Sequence, residues 1–184
     1  MKDEISIVIG SWGSYNECNE RALGSKWLNF SDYEDWDEIV AELEKQGFKL
    51  DGIDEELFIQ DIENFVADGI NWDYVHPKQL FELLKKSGVL SDDEKYQKAV
   101  IYCDIEGYSD WKRIVNDYEE SWDHDIYLYP GFNWYDLGYY FLHEVDCVKV
   151  PDYLDDYIDY EKYGEQFSYD GFHEYDGGIV EIRR

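Results

Sequence analysis

Fifteen acids and two bases fall between residues 32 and 74, and seventeen acids and two bases between 117 and 176, while 75–116 holds seven of each. Charge segregated in this way resists folding, because like charges repel across a small surface. Each acidic block therefore needs a strong apolar counterweight, and the sequence supplies one. Hydrophobic residues make up 44% of the chain and aromatics 18%, whereas acidic disordered chains are poor in both. The 184 residues suffice for one ordinary domain or two to three very small ones.

The formal charge of −28 argues against binding nucleic acid or an anionic membrane, since both require basic patches. It favours a basic partner, a metal load or life at high salt. Met1-Lys2-Asp3-Glu4-Ile5 lacks the basic start and apolar stretch of a signal peptide. No apolar run approaches the roughly 20 residues needed to span a bilayer. The three cysteines, Cys18, Cys103 and Cys147, fit neither a disulfide framework nor a zinc cluster. The expected location is cytoplasmic.

The charge boundaries suggest an α+β chain of three small domains: 1–75, 76–121 and 122–184. In the first, Ile5, Ile7 and Ile9 alternate as in a half-buried strand, Lys26–Phe30 reads as a second strand, and Leu57–Ile59 with Ile62 as a third. Between them, Ser31 or Asp32 can cap a helix with Trp36, Ile39, Val40 and Leu43 on its apolar face. Gly10-Ser11-Trp12-Gly13 reads as a turn.

The middle domain reads as helical. Pro77 opens a helix with the stripe Leu80, Phe81 and Leu84; Ser91 and Glu94 form a capping box before a second; Ser109 caps a third through Trp111 and Val115. In the last domain, Asp125–Tyr129 reads as a strand. Asn133 can cap a helix from Trp134 to Val145, Pro151 a short helix, and a further helix covers Tyr160–Phe167. A strand over Ile179–Ile182 closes the chain.

The search for chemistry finds little. With 44 acidic residues, some carboxylate pairs reach glycosidase-like separations by chance. Asp32–Asp37 lacks the glycine and distal glutamate of a calcium loop. The four histidines form no zinc array, and His143-Glu144 with Asp146-Cys147 is explained by an ordinary helix end. No glycine-rich phosphate loop or nucleophile elbow is present. The residues point to no catalytic site, no metal and no cofactor.

The carboxylates are more informative as a group. Across Asp152–Glu161 they recur every three or four residues beside aromatics, a spacing that places helical neighbours about 5–6 Å apart and costs roughly 0.2–0.5 kcal/mol per like-charged pair. A merely solvated helix face mixes signs; this one does not. B-DNA carries one charge per roughly 1.7 Å, so 28 charges correspond to about 48 Å of duplex, or about 14 base pairs.

Val150-Pro151, Leu154, Tyr157-Ile158-Asp159-Tyr160-Glu161 and Tyr163-Gly164 resemble the C-terminal signature of the ArdA-type antirestriction proteins of mobile genetic elements. Asp136, Tyr140 and Glu144 resemble the helix that precedes it, and Gly177-Gly178-Ile179-Val180-Glu181 its terminal strand. Tyr15-Asn16-Glu17, Gly24 and Trp27 resemble the family's opening, and Ile59, Asp61 and Glu63 a strand of it. Cys18 and Asp146 stand where the family pattern has glycine.

The resemblance implies an elongated homodimer of three-domain chains that imitates bent B-form DNA. It further implies binding to the methyltransferase/specificity core of type I restriction–modification enzymes, with restriction blocked. The residues expected to stand in for phosphates are Asp32, Glu34, Asp35, Asp37, Glu38 and Glu42, with Asp152, Asp155, Asp156, Asp159, Glu161 and Glu165. A dimer contact is expected at Trp134, Leu137, Tyr140 and Phe141, a stripe that would serve equally as packing inside the third domain. The competing readings are a mimic aimed at another basic DNA-binding protein, a halophilic acidic protein and a carboxylate-based hydrolase.

Overall fold

The computed structural model describes residues 4–65 and 70–183. Its contacts divide into two units, Met1–Trp122 and Asp123–Arg184. The fold is α+β: each unit carries one antiparallel three-stranded sheet, and eight α-helices lie among the described residues. No described helix is long and apolar enough to cross a membrane.

In the first unit, β1 (Ser6–Ser11) lies between β2 (Leu28–Asn29) and β3 (Leu57–Glu63). A central strand can be covered on both faces, and this one is. Ile7 and Ile9 are fully buried, and Val8 on the opposite face nearly so, where alternation had predicted half-burial. Gly10 sits opposite Phe58, whose ring stacks on Trp12 with centroids 4.1 Å apart. A Cβ on Gly10 would fall 2.5 Å from that ring, so only glycine admits it. The register shifts between Val8 and Ile9, a bulge that increases local twist.

The expected turn at Gly10–Gly13 is instead the start of α1 (Trp12–Glu17), capped by Ser11, whose Oγ accepts from Ser14 N–H at 3.3 Å. The helix is too short to show apolar periodicity, so only its cap could have announced it.

The next helices are α2 (Trp36–Lys45), α3 (Pro77–Lys86), α4 (Asp93–Glu106) and α5 (Tyr108–Tyr118). Their apolar stripes follow the sequence pattern, but three caps differ. Ser31 and Asp32 fall in a 3-10 turn, Phe30–Asp32, and Asp35 caps α2. Asp92 rather than Ser91 caps α4, accepting from Glu94 N–H and Lys95 N–H, because Ser91 donates instead to Gly88 C=O. Gly107, at φ +90, precedes α5, which leaves Ser109 inside the helix. The helices of residues 75–116 pack on residues just beyond the strands of the first sheet, Phe30 after β2 with Phe81 at 5.2 Å and Phe65 after β3 with Trp111 at 5.5 Å.

The second unit pairs β4 (Ile126–Pro130) with β6 (Gly178–Ile182), and β6 with β5 (Phe172–Tyr175). Against this sheet pack α6 (Trp134–Tyr140), through Leu137, and the π-helical turn that continues it over Phe141–Val145, through Phe141; α7 (Asp152–Asp155) follows, and α8 (Tyr160–Glu165) packs on α6. Asn133 and Asp136 form a reciprocal capping box on α6. Helices α6 and α8 touch backbone to backbone. A Cβ on Gly138 would lie 2.0 Å from Tyr160 C=O, and one on Gly164 1.9 Å from Trp134 C=O. Leu137, Phe172 and Ile179 form the core, with Tyr129, Phe132, Trp134, Phe141 and Phe167 around it.

Candidate acidic recognition surfaces

On α2, Ile39 and Leu43 are fully buried, each worth roughly 1.5–3 kcal/mol of burial. Their i,i+4 spacing turns the opposite face outward. Asp32, Glu34, Asp35, Asp37 and Glu38 are exposed, and Glu42 is half-buried. Two of these also hold the helix start. Asp35 accepts from Glu38 N–H at 3.0 Å, and Glu38 accepts from Glu34 N–H at 2.7 Å. Negative side chains also suit a helix N-terminus, where the macrodipole is positive.

The carboxylates converge around Tyr33. Its phenol is pushed up first by burial and then by the fields of Glu42, Asp32 and Glu38. Of the six, Glu42 has a basic partner, Lys45 at 3.4 Å. Its carboxyl is held below the usual range by the Gln46 amide and then by Lys45.

The second surface is built on α7, α8 and the link between them. Asp152, Asp156, Asp159, Glu161 and Glu165 are exposed, Asp155 is half-buried, and none pairs with a lysine or arginine among the described residues. Asp159 caps α8, accepting from Lys162 N–H at 3.0 Å. Asp155 accepts from Tyr160 O–H, and Tyr160 meets His143 Nε2 at 2.7 Å. Because the phenol spends its one proton on Asp155, His143 must be the donor in that second bond. Burial and the Asp155 hydrogen bond push the Tyr160 phenol up to about 12. Tyr153 and Tyr157 stand 75% and 83% exposed among these acids.

The stripe expected to make a dimer contact packs largely into its own unit. Leu137 has no exposed surface, Trp134 and Phe141 lie against it, and Tyr140 is half-buried. The side chains that α6 leaves outward are Tyr135 and Tyr139.

Sequence reasoning did not foresee Asp54. It is fully buried and accepts from Ser14 O–H, from Arg21 Nε at 3.0 Å and from Lys49 N–H at 2.8 Å. Burial would raise its carboxyl, but the Ser14, Lys49 and Ser11 hydrogen bonds and Arg21 outweigh that and hold it low. Asp54 is a structural hub for α1 and the following loops, and it contributes nothing to the outward charge.

The middle stretch behaves differently. Lys78 pairs with Glu82, Lys98 with Glu94 at 3.0 Å, and Arg113 with Asp110 at 2.7 Å and with Asp117. Glu82, Glu94 and Asp110 thus each meet a base on their own helix, whereas of the twelve flanking acids Glu42 alone meets a lysine or arginine among the described residues.

A search of curated proteins gives no significant match. The family model described as antirestriction protein (ArdA) matches residues 7–181. With the match extending over nearly the whole chain, the protein belongs to the ArdA antirestriction family.

Proposed function

We propose that the protein is a non-enzymatic inhibitor that imitates DNA and occupies the DNA-binding groove of a type I restriction–modification enzyme, at its methyltransferase/specificity core. The observation that carries this reading is the partition of charge pairing. Ten of the twelve carboxylates named above are exposed, and one of the twelve meets a lysine or arginine among the described residues, while in the intervening helices Glu82, Glu94 and Asp110 each meet a base. A chain adapted only to salt would spread its acids over the middle as well.

Carboxylates placed outward stand in for phosphates and meet the lysines and arginines of the groove. Association is steered by the field, and displaced counterions supply much of the affinity, so binding falls steeply with salt. A homodimer, which the family resemblance implies, would draw on the partly exposed edges of Trp134, Tyr140 and Phe141, since Leu137 has no surface left to offer.

The test is titration of the purified protein into a type I enzyme holding labelled cognate DNA, at two salt concentrations. Release of the DNA near stoichiometry, weakening at the higher salt, supports the reading. No release at large excess sinks the type I assignment and redirects the search to other basic DNA-binding proteins.

A further inference from the structure

We propose that the second unit carries a socket for a single arginine side chain of the protein partner. The proposal rests on the reading above for the partner's identity, but on separate geometry for the site. Beside β4 and α6 lies an open cavity of about 540 Å³, within the roughly 300–1,000 Å³ range of small-ligand sites. Phe132, Tyr135, Tyr139 and Tyr140 line it together with two carboxylates, Asp136 and Glu144, and among the described residues no lysine or arginine does.

The helix itself arranges these groups. Asp136, Tyr140 and Glu144 recur at four-residue spacing, and Tyr135 and Tyr139 form the adjacent row. Glu144 comes from the π-helical turn that continues α6.

The walls are held in place before any ligand arrives. Tyr135 and Tyr139 lean on Tyr160 with centroids 5.4 and 5.2 Å away, and Tyr139 lies 4.4 Å from His143. Phe132 and Tyr140 meet edge to face at 5.8 Å. Asp136 is fixed by the capping box through one oxygen, Oδ2, which leaves Oδ1 to a ligand.

Fixed aromatic faces beside two carboxylates and no competing base select a cation. A guanidinium suits them better than an ammonium, because it is planar, stacks on tyrosine, is more weakly hydrated and offers its donors in a fork that a carboxylate can accept. In the complex, Glu144 and the free oxygen of Asp136 take the guanidinium N–H groups while Tyr139 and Tyr140 flank its methylene stem and plane. The face of the mimic thus combines diffuse charge with one shaped contact.

The test is an amide-resonance titration of the full-length protein with a blocked arginine amide and, in parallel, its lysine counterpart. The expected result is saturable shifts confined to Phe132–Glu144, at least threefold tighter for arginine. Tyr139→Ala and Glu144→Gln, both at exposed positions, should each weaken the arginine probe at least fivefold, and Tyr139→Phe should retain it. Equal shifts for lysine, shifts spread over all the acidic segments, or binding untouched by the variants would overturn the proposal.

Tyr140 also belongs to the stripe considered for a dimer contact, so the titration is repeated at a concentration where the protein self-associates. Arginine binding lost on self-association would also overturn it and make the cavity an interface between copies. DNA release by the parent protein, unchanged in the Tyr139→Ala/Glu144→Gln double variant, would defeat the socket and leave the mimic intact. Arginine binding by a protein that releases no DNA would do the reverse.

Discussion

Helices α2 and α3 are both ten residues long, lie in the same unit and meet through Trp36 and Phe81, yet they carry opposite charge. Helix α2 has four acids and one base; α3 has three bases and one acid. On α3 the last turn is what helix physics favours, with Lys85 and Lys86 answering the negative end of the dipole, and Lys78 in the first turn is paired with Glu82 four residues on. On α2 the acids persist to Glu44 in the last turn, and Lys45, its single base, goes to Glu42. Local stability explains the charges of α3 and only the first turn of α2. Glu42 is met by Lys45 and Gln46, and Glu44 is the acid of α2 that the proposed recognition surface would account for.

The most direct way to break this comparison is to neutralise each side. Changing Glu34, Asp37, Asp152, Asp156 and Glu161 to their amides removes exposed carboxylates and spares Asp35, Glu38 and Asp159, which hold the helix starts. Inhibition at low salt should weaken about 100-fold or more. The log–log salt slope should flatten in step with the number of removed carboxylates that faced a cation. A triple change in the middle, Glu82→Gln with Asp93→Asn and Glu94→Gln, should move inhibition by less than about threefold, the size of effect expected when no contact is lost. DNA-displacement curves at several salt concentrations decide it, and an equal loss from both sets would erase the distinction.

Asp54 sharpens the comparison from the other direction, as an acid of the first block that serves the fold. Asp54→Ala strands Arg21 and the fully buried Ser14 hydroxyl and should cost about 2–4 kcal/mol in urea unfolding. Because the folded state holds this carboxyl low, its contribution is complete above the unfolded value of about 4 and fades as pH falls through the folded one. The stability gap between the parent and Asp54→Asn should therefore be widest near neutrality and narrow below about pH 4. A gap that widened on acidification would contradict the hydrogen-bond assignment.

Tyr160→Phe probes the same division in the second unit, at a smaller scale. It removes the bond to Asp155 and the one from His143 and should cost about 1 kcal/mol. Asp155 is then released to solvent, so inhibition should hold or improve slightly while the melting temperature drops. A parallel loss of inhibition would mean that the held geometry of Asp155, and not its charge alone, is what the partner reads.

How much of this was open to the sequence depends on the range of the interaction. Ile39 and Leu43 announced the buried face of α2, and with it the outward acids, because the helical period is local. The caps of α2 and α4 were displaced by one to four residues, since Asp35 and Asp92 outcompete neighbours of equal capping propensity. Strand β5 passed unnoticed because Phe172–Tyr175 is four residues long and is defined by pairing with β6. The role of Asp54 was invisible in principle: its partners Arg21 and Ser14 lie 33 and 40 residues away. The stripe carrying Leu137 fitted a dimer contact and packing inside its own domain equally well, and the distant partners Phe172 and Ile179 decide for burial. Spacing could say that carboxylates face outward; it could not say which of them also hold the fold.

The smallest expected effect is also the one that most isolates the argument about α2. Glu44 is exposed in the last turn, where a negative charge opposes the dipole, and Glu44→Lys should stabilise the protein by about 0.3–1 kcal/mol at low ionic strength. Most of that gain should vanish in 1 M salt, where the screening length is about 3 Å. The mirror change on α3, Lys85→Glu, should destabilise by a similar amount under the same conditions. Thermal melts of the two variants at both salt concentrations therefore measure what each helix end contributes to the fold. If Glu44→Lys stabilises and at the same time weakens inhibition, stability has been exchanged for recognition at that position. If it stabilises and leaves inhibition unchanged, the recognition surface of α2 is confined to the first two turns, around Tyr33.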